Sequence, residues 1–168
     1  LSTGETVLSF DGSDDWVQVL ASPSLNALSN YSHSVAFWVN VTGSNNAYQE
    51  FVNKPKGANY QSVFMLLTPR TGDNIGYSIG NGVDSNGTSY YPINWGTWYY
   101  VVGTSNGSQI KLYVNGVLQK QANITISEWT NSSWLGLSYG GTINMAYCKM
   151  DDVRIYNRAL SADEIQAL

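Results

Sequence analysis

The chain has 168 residues, 43% of them hydrophobic, which suits one domain able to bury about 70% of the surface its unfolded chain exposes. Eight Lys and Arg against twelve Asp and Glu leave a formal charge of −4, and only 12% of residues are charged, so there is no basic stripe for a nucleic acid to find. Apolar residues come in short runs broken by Asn, Gly, Ser or Thr, none near the roughly twenty that a membrane span needs.

From the N-terminus, strands are predicted over 6–10 and 16–20, flanking a hairpin-like loop Asp11-Gly12-Ser13-Asp14-Asp15. Val35, Phe37, Val39 and Val41 alternate with Ala36, Trp38 and Asn40, so the first set shares one face of a strand and Trp38 lies on the other. Further strands are expected over 49–54, 63–68, 75–79, 98–104, 110–114, 117–122, 134–138 and 150–156, with 58–61 and 80–89 as loops. Asn106-Gly107 and Asn115-Gly116 supply the positive φ angles of tight hairpin turns. Ile110, Leu112 and Val114 face a core while Lys111 and Tyr113 face away. Only the end reads as helix: Ser161-Ala162-Asp163-Glu164 matches a capping box before a short helix over 162–167, with Ile165 and Leu168 packing it down. That strand count with one helix predicts an all-β, two-sheet antiparallel sandwich filling residues 1–168 as a single domain.

Single residues narrow the chemistry. Cys148 is the one cysteine, excluding a disulfide framework and a thiolate zinc cluster; it is expected as a small buried hydrophobe. His33 is the one histidine and reads as a strand-entry residue. Asn-x-Ser/Thr acceptors at Asn30, Asn40, Asn86, Asn106, Asn123 and Asn131 suit an extracellular or cell-surface location. Residues 1–6 lack the basic start and apolar stretch of a signal peptide, as expected of a mature chain or of a domain cut from a longer protein.

Four blocks, FDGSDDWVQV at 10–19, SVAFWVNVTG at 34–43, NWGTWYYVVGTSNGSQIKLYVNGVL at 94–118 and MDDVRIYNRALSADEI at 150–165, resemble the laminin G-like jelly-roll family of the concanavalin A-like lectin and glucanase superfamily. The resemblance implies a jelly-roll sandwich whose first and last strands lie side by side. It also implies a mostly non-catalytic module for glycan binding, adhesion or spacing, found on secreted enzymes, surface proteins and viral particles, often with calcium.

Glucanases of that superfamily place carboxylates across the scissile bond, and in one branch these come from a strand reading Glu-x-Asp-x-x-Glu. No strand here offers that alternation, and adjacent Asp151 and Asp152 point to opposite faces, so no enzyme activity is expected. No Gly-x-Ser-x-Gly elbow and no phosphate-cradling loop is present. Calcium wants hard oxygen donors; Asp11 and Asp15 offer them, and with first and last strands adjacent Asp151 would join them. Simple turn-capping and ion pairing with Arg154 are the alternative.

Twelve Tyr and six Trp are the most informative feature, because sugar C–H faces stack on flat rings while hydroxyls bond to neutral amides. Trp38 and Tyr113 lie on outward faces by parity, Tyr90, Tyr91 and Trp95 surround Pro92 in a loop, and Trp129 and Trp134 flank Thr130 to Ser133. These seven are the expected ligand-binding residues; Trp98 is assigned to the core. The expected partners are a glycan or glycoprotein and the other domains of a larger surface protein. The alternatives are a structural or protein–protein interaction domain of a surface or virion protein and, more distantly, a degenerate glucanase.

Overall fold

The computed structural model describes residues 6–44, 47–55, 62–68, 73–80, 85–87, 90–126, 134–138 and 144–168, with side chains left undescribed at 62–68, 80, 85 and 86. Thirteen strands are described: β1 (Leu8–Asp11), β2 (Val17–Val19), β3 (His33–Val41), β4 (Gln49–Pro55), β5 (Ser62–Thr68), β6 (Asn74–Gly80), β7 (Ser85–Gly87), β8 (Tyr91–Pro92), β9 (Trp98–Ser105), β10 (Gln109–Val114), β11 (Val117–Asn123), β12 (Leu135–Leu137) and β13 (Tyr147–Tyr156). Two short helices, α1 (Pro23–Asn26) and α2 (Ala162–Gln166), complete the elements. One sheet runs β1-β13-β3-β9-β10-β11; the other runs β2-β12-β4-β5-β6-β7, with β8 paired to β6. Every described pairing is antiparallel, so this is the all-β sandwich the strand pattern predicts.

First and last strands do lie together, β1 against β13 with Leu8 opposite Met150. The Asp11–Asp15 loop, however, is a crossing between sheets and not a hairpin. β1 pairs with β13 in one sheet and β2 with β12 in the other, so long-range partners take the edges that a local hairpin would have used.

Alternation places the core where period two puts it. Val35, Phe37, Val39 and Val41 of β3, Tyr99 and Val101 of β9, Ile110, Leu112 and Val114 of β10, and Ile75, Tyr77 and Ile79 of β6 form one buried cluster. Tyr77 crosses it: the ring lies over Gly103, where an added Cβ would stand 2.7 Å from it, and the hydroxyl hydrogen-bonds His33 Nε2 on the opposite sheet. His33 Nδ1–H donates to Ser29 O at 2.7 Å, which leaves Nε2 to accept from Tyr77. Burial holds this imidazole down at about 4, well below its usual range.

Local signals act as the sequence suggests. Asn115 (φ 52°) and Gly116 (φ 76°) make a two-residue turn between paired Val114 and Val117, the conformation that matches strand twist. Ser161 Oγ accepts from Glu164 N–H while Glu164 reaches back to Ser161 N–H, completing the capping box. Leu168 departs from expectation: Ile165 is buried, but Leu168 stays exposed beyond the end of α2. The α1 turn escaped sequence reading, although Ser22 as N-cap and Pro23 in the first turn are its ordinary signature.

Candidate functional site

A β-bulge on β4 sets up the outer face of the seven-stranded sheet. Phe51 is the extra residue between Glu50, paired to Leu67, and Val52, paired to Leu66. Phe51 and Val52 both join the core, while Glu50 falls in register with Leu67 and, through it, with Gly76. Ile75 and Tyr77 point inward, so Gly76 and Glu50 belong to the outward face.

On that face one edge of the Tyr90 ring packs against Gly76, where a Cβ would meet Cδ1 and Cε1 at 2.8 Å, so only glycine admits the ring so close. Tyr48, one residue before β4, is near enough that its charge would raise the Tyr90 hydroxyl further above the usual range, after the larger effect of burial. Both rings are exposed, Tyr48 at 44% and Tyr90 at 41%.

Two strands across from Gly76 in the same outward row, Glu50 is buried and accepts from Asn144 Nδ2 at 2.8 Å and from Asn53 Nδ2. Burial raises its carboxyl to about 7, against the lowering effect of the two amides. Glu50 N–H also donates to Asn144 O at 3.0 Å, which ties the 144–146 segment to β4. The two exposed rings can stack on a sugar, while Glu50, Asn53 and Asn144 are all buried and brace one another within the sheet face. Sequence reading missed Tyr48 and Glu50; the Tyr-Gln-Glu run at a strand entrance was the available signal.

The other expected site residues are scattered. Trp95 is half exposed, in a turn tied to the six-stranded sheet by Gly96 N–H to Val41 O at 2.8 Å. Tyr91 lies in β8 and not in a loop, partly buried against the core. Trp134 is partly buried just before β12, and Trp129 lies outside the described residues. Tyr113 points away from the sandwich, as parity requires, yet is only 4% exposed. It packs with Ala36, Tyr100, Val102, Leu160 and Ile165 in a second cluster, with Trp38 against its edge. Trp98 in turn belongs to this outer side and not to the core: it pairs with Asn40 and is partly exposed.

The acidic loop brings Asp11, Asp14 and Asp15 together, with carboxylate oxygens within 4.8 Å of one another and all three residues exposed. Asp15 Oδ2 accepts from Asp11 N–H at 3.2 Å and Asp11 Oδ1 from Ser13 N–H at 2.9 Å, so two carboxylates also cap the turn. Asp151 is elsewhere: Asp11 pairs with Tyr147, four residues, or about 13 Å of extended strand, from Asp151. Asp151 instead accepts from Asp152 N–H at a bulge where Asp152 has φ 50°, and Asp152 pairs with Arg154 at 2.8 Å.

A family model described as the concanavalin A-like lectin/glucanases superfamily matches residues 11–166. The chain therefore belongs to that superfamily, in its laminin G-like branch. No curated protein matches the sequence significantly. Among solved structures it is similar to the binding domain of Paraclostridial mosquitocidal protein 1 (18% identity, 96% of this chain and 42% of that one, TM-score 0.75). It is also similar to the receptor-binding domain of botulinum neurotoxin D (17% identity, 99% and 46%, TM-score 0.75) and to Trypanosoma rangeli sialidase with the inhibitor DANA (18%, 83% and 22%, TM-score 0.64). The chain spans less than half the length of each, and at these identities the likeness is one of fold. Among the described residues, no helix is long and apolar enough to cross a membrane.

Proposed function

We propose that this domain is a non-catalytic carbohydrate-binding or adhesion module of an extracellular or cell-surface protein. The observation that carries the reading is the pair of exposed neighbouring rings, Tyr48 and Tyr90, on the outward face of the seven-stranded sheet. Membership of a lectin and glucanase superfamily and likeness to two binding domains agree with it. Binding without hydrolysis is favoured because Glu50 is held by two amides, whereas glycoside hydrolysis pairs two carboxyl groups across the bond.

A glycan array probed with the wild-type domain should give a defined set of binders, and Tyr90→Ala should remove those that need this face while the fold is kept. An array blank for the wild type would end this reading and leave the structural, protein-binding alternative, for which light scattering should then show a defined complex.

Calcium belongs to the same proposal. Asp11, Asp14 and Asp15 would supply its carboxylate oxygens, which suit a hard cation, and Asp151 would not take part. The ion would fasten the loop that crosses between the sheets. Binding predicts a melting temperature raised by calcium and returned by chelator, an effect Asp14→Asn should abolish; a melting temperature blind to both reagents removes the ion.

A further inference from the structure

The outer face of the six-stranded sheet is covered only in part. The helix α2, through Ile165, and the strap before it, through Leu160, seal Ala36, Val102 and Tyr113, but beside them a groove of about 710 Å³ remains open. That is within the roughly 300–1,000 Å³ of small-molecule sites. Its walls are Trp38, Trp98 and Tyr100 on the sheet, Asn115 and Val117 at the β10–β11 turn, and Gln166 on the helix. Among the described residues, no charged side chain lines it.

Register explains how the rings meet. Trp38 pairs with Tyr100 across β3 and β9, and Asn40, two residues on, pairs with Trp98, so all four side chains share the outward face. The Trp38 and Tyr100 rings are 5.3 Å apart and tilted by 40°. Asn115 is fixed beside them: its Oδ1 accepts from Tyr100 N–H at 2.9 Å and its own N–H donates to Tyr100 O at 2.8 Å. That leaves the Asn115 side-chain NH2 directed to other partners.

Two polar atoms on this face are unusual. Among the described residues, the Tyr100 hydroxyl, on a residue 6% exposed, has no hydrogen-bond partner, and neither has Asn40 Oδ1, whose Nδ2 donates to Gly96 O at 3.0 Å. A buried hydroxyl without a partner costs stability, and phenylalanine would fill the same space without that cost. An apolar occupant would leave that cost standing, whereas a ligand carrying hydroxyls relieves it once a small swing about the Tyr100 Cα–Cβ bond brings the hydroxyl to the groove.

We propose that this groove is a carbohydrate site in its own right, taking one or two pyranose rings of a neutral oligosaccharide against Trp38, Trp98 and Tyr100, with the Tyr100 hydroxyl and the Asn115 and Gln166 amides as hydrogen-bonding groups. It lies on the opposite sheet from Tyr48 and Tyr90 and shares with that face only the class of ligand.

The test titrates the full chain with hexasaccharides of glucose and of N-acetylglucosamine while following the indole N–H resonances of the tryptophans. The Trp38 and Trp98 signals should shift, and Trp98→Ala should abolish the shift at Trp38. Tyr100→Phe should melt no lower than wild type, since it deletes an unpaired buried group, yet bind about fivefold more weakly, the size of one hydrogen bond. Tyr90→Ala should leave the groove response intact. Unmoved Trp38 and Trp98 signals at millimolar sugar, or Tyr100→Phe binding as tightly as wild type, overturn the groove. If Tyr90→Ala alone then removes all binding, the reading of the other face survives; silence from both faces sinks the two together.

Discussion

The two sheets turn different outer faces to their surroundings. On the six-stranded sheet, the residues of β3, β9 and β10 that point away from the sandwich meet a second layer, α2 and the strap before it, and bury a small apolar cluster. On the seven-stranded sheet, the corresponding outward row carries Glu50 and Gly76, with the exposed Tyr90 packed on Gly76 and the exposed Tyr48 at the entrance to β4. Period-two alternation gives the direction of every one of these side chains but not what lies above it. The difference comes from the C-terminal segment, which returns across one face only.

The largest test of that contrast is Ile165→Ala. Loss of the one fully buried side chain of α2 should cost about 2–4 kcal/mol in urea denaturation, because the helix roofs a real core. Tyr90→Ala on the open face should cost less than about 1 kcal/mol. Equal losses would mean that the two faces are built alike.

Two buried titratable groups sharpen the contrast between the sandwich interior and its open face. His33 is held at about 4, below its ordinary 6.5, so the unfolded chain binds more protons in that window and stability falls as pH drops from about 6.5 toward 4. Glu50 is raised to about 7 from its ordinary 4.5, so the folded chain binds more protons and stability falls as pH climbs from about 4.5 through 7. Each slope is worth on the order of 3 kcal/mol across its window. Between pH 4.5 and 6.5 they oppose each other, and wild-type stability should be nearly flat there. Glu50→Gln should leave a curve that rises with pH, and His33→Asn one that falls; identical curves for both variants would show that neither group is held as described.

A smaller effect concerns glycosylation. Asn30 and Asn40 are buried, and the Asn40 amide already donates to Gly96, whereas Asn106 and Asn123 are exposed. Of these four, only Asn106 and Asn123 should carry glycan when the chain is made in a glycosylating secretory host. Occupancy at Asn40, read by peptide mass spectrometry, would mean that the cover over the six-stranded sheet is open while the chain is folding. The change in stability should be no more than a few tenths of a kcal/mol, as for most surface substitutions.

Much of the fold was legible because its signals are local. Alternation in Val35 to Val41, the Asn115-Gly116 turn and the Ser161–Glu164 box each fix a conformation within a few residues. The sites were less legible because they depend on register. Nothing near Asp11 shows that it faces Tyr147 and not Asp151, and nothing near Trp98 shows that Asn40 pairs with it. Parity alone turns Tyr113 outward, but its burial depends on Leu160 and Ile165, about fifty residues on. The Phe51 bulge resets parity along β4, so Glu50 and Asn53, three apart, share a face that simple alternation would have separated.

Carbohydrate recognition is tested most directly by a crystal of the domain soaked with the oligosaccharide that ranks first on the array. The rings described here predict a pyranose lying parallel to the Tyr90 ring and within van der Waals contact of Tyr48. Electron density for sugar elsewhere, with Tyr48 and Tyr90 bare at saturating ligand, would contradict it.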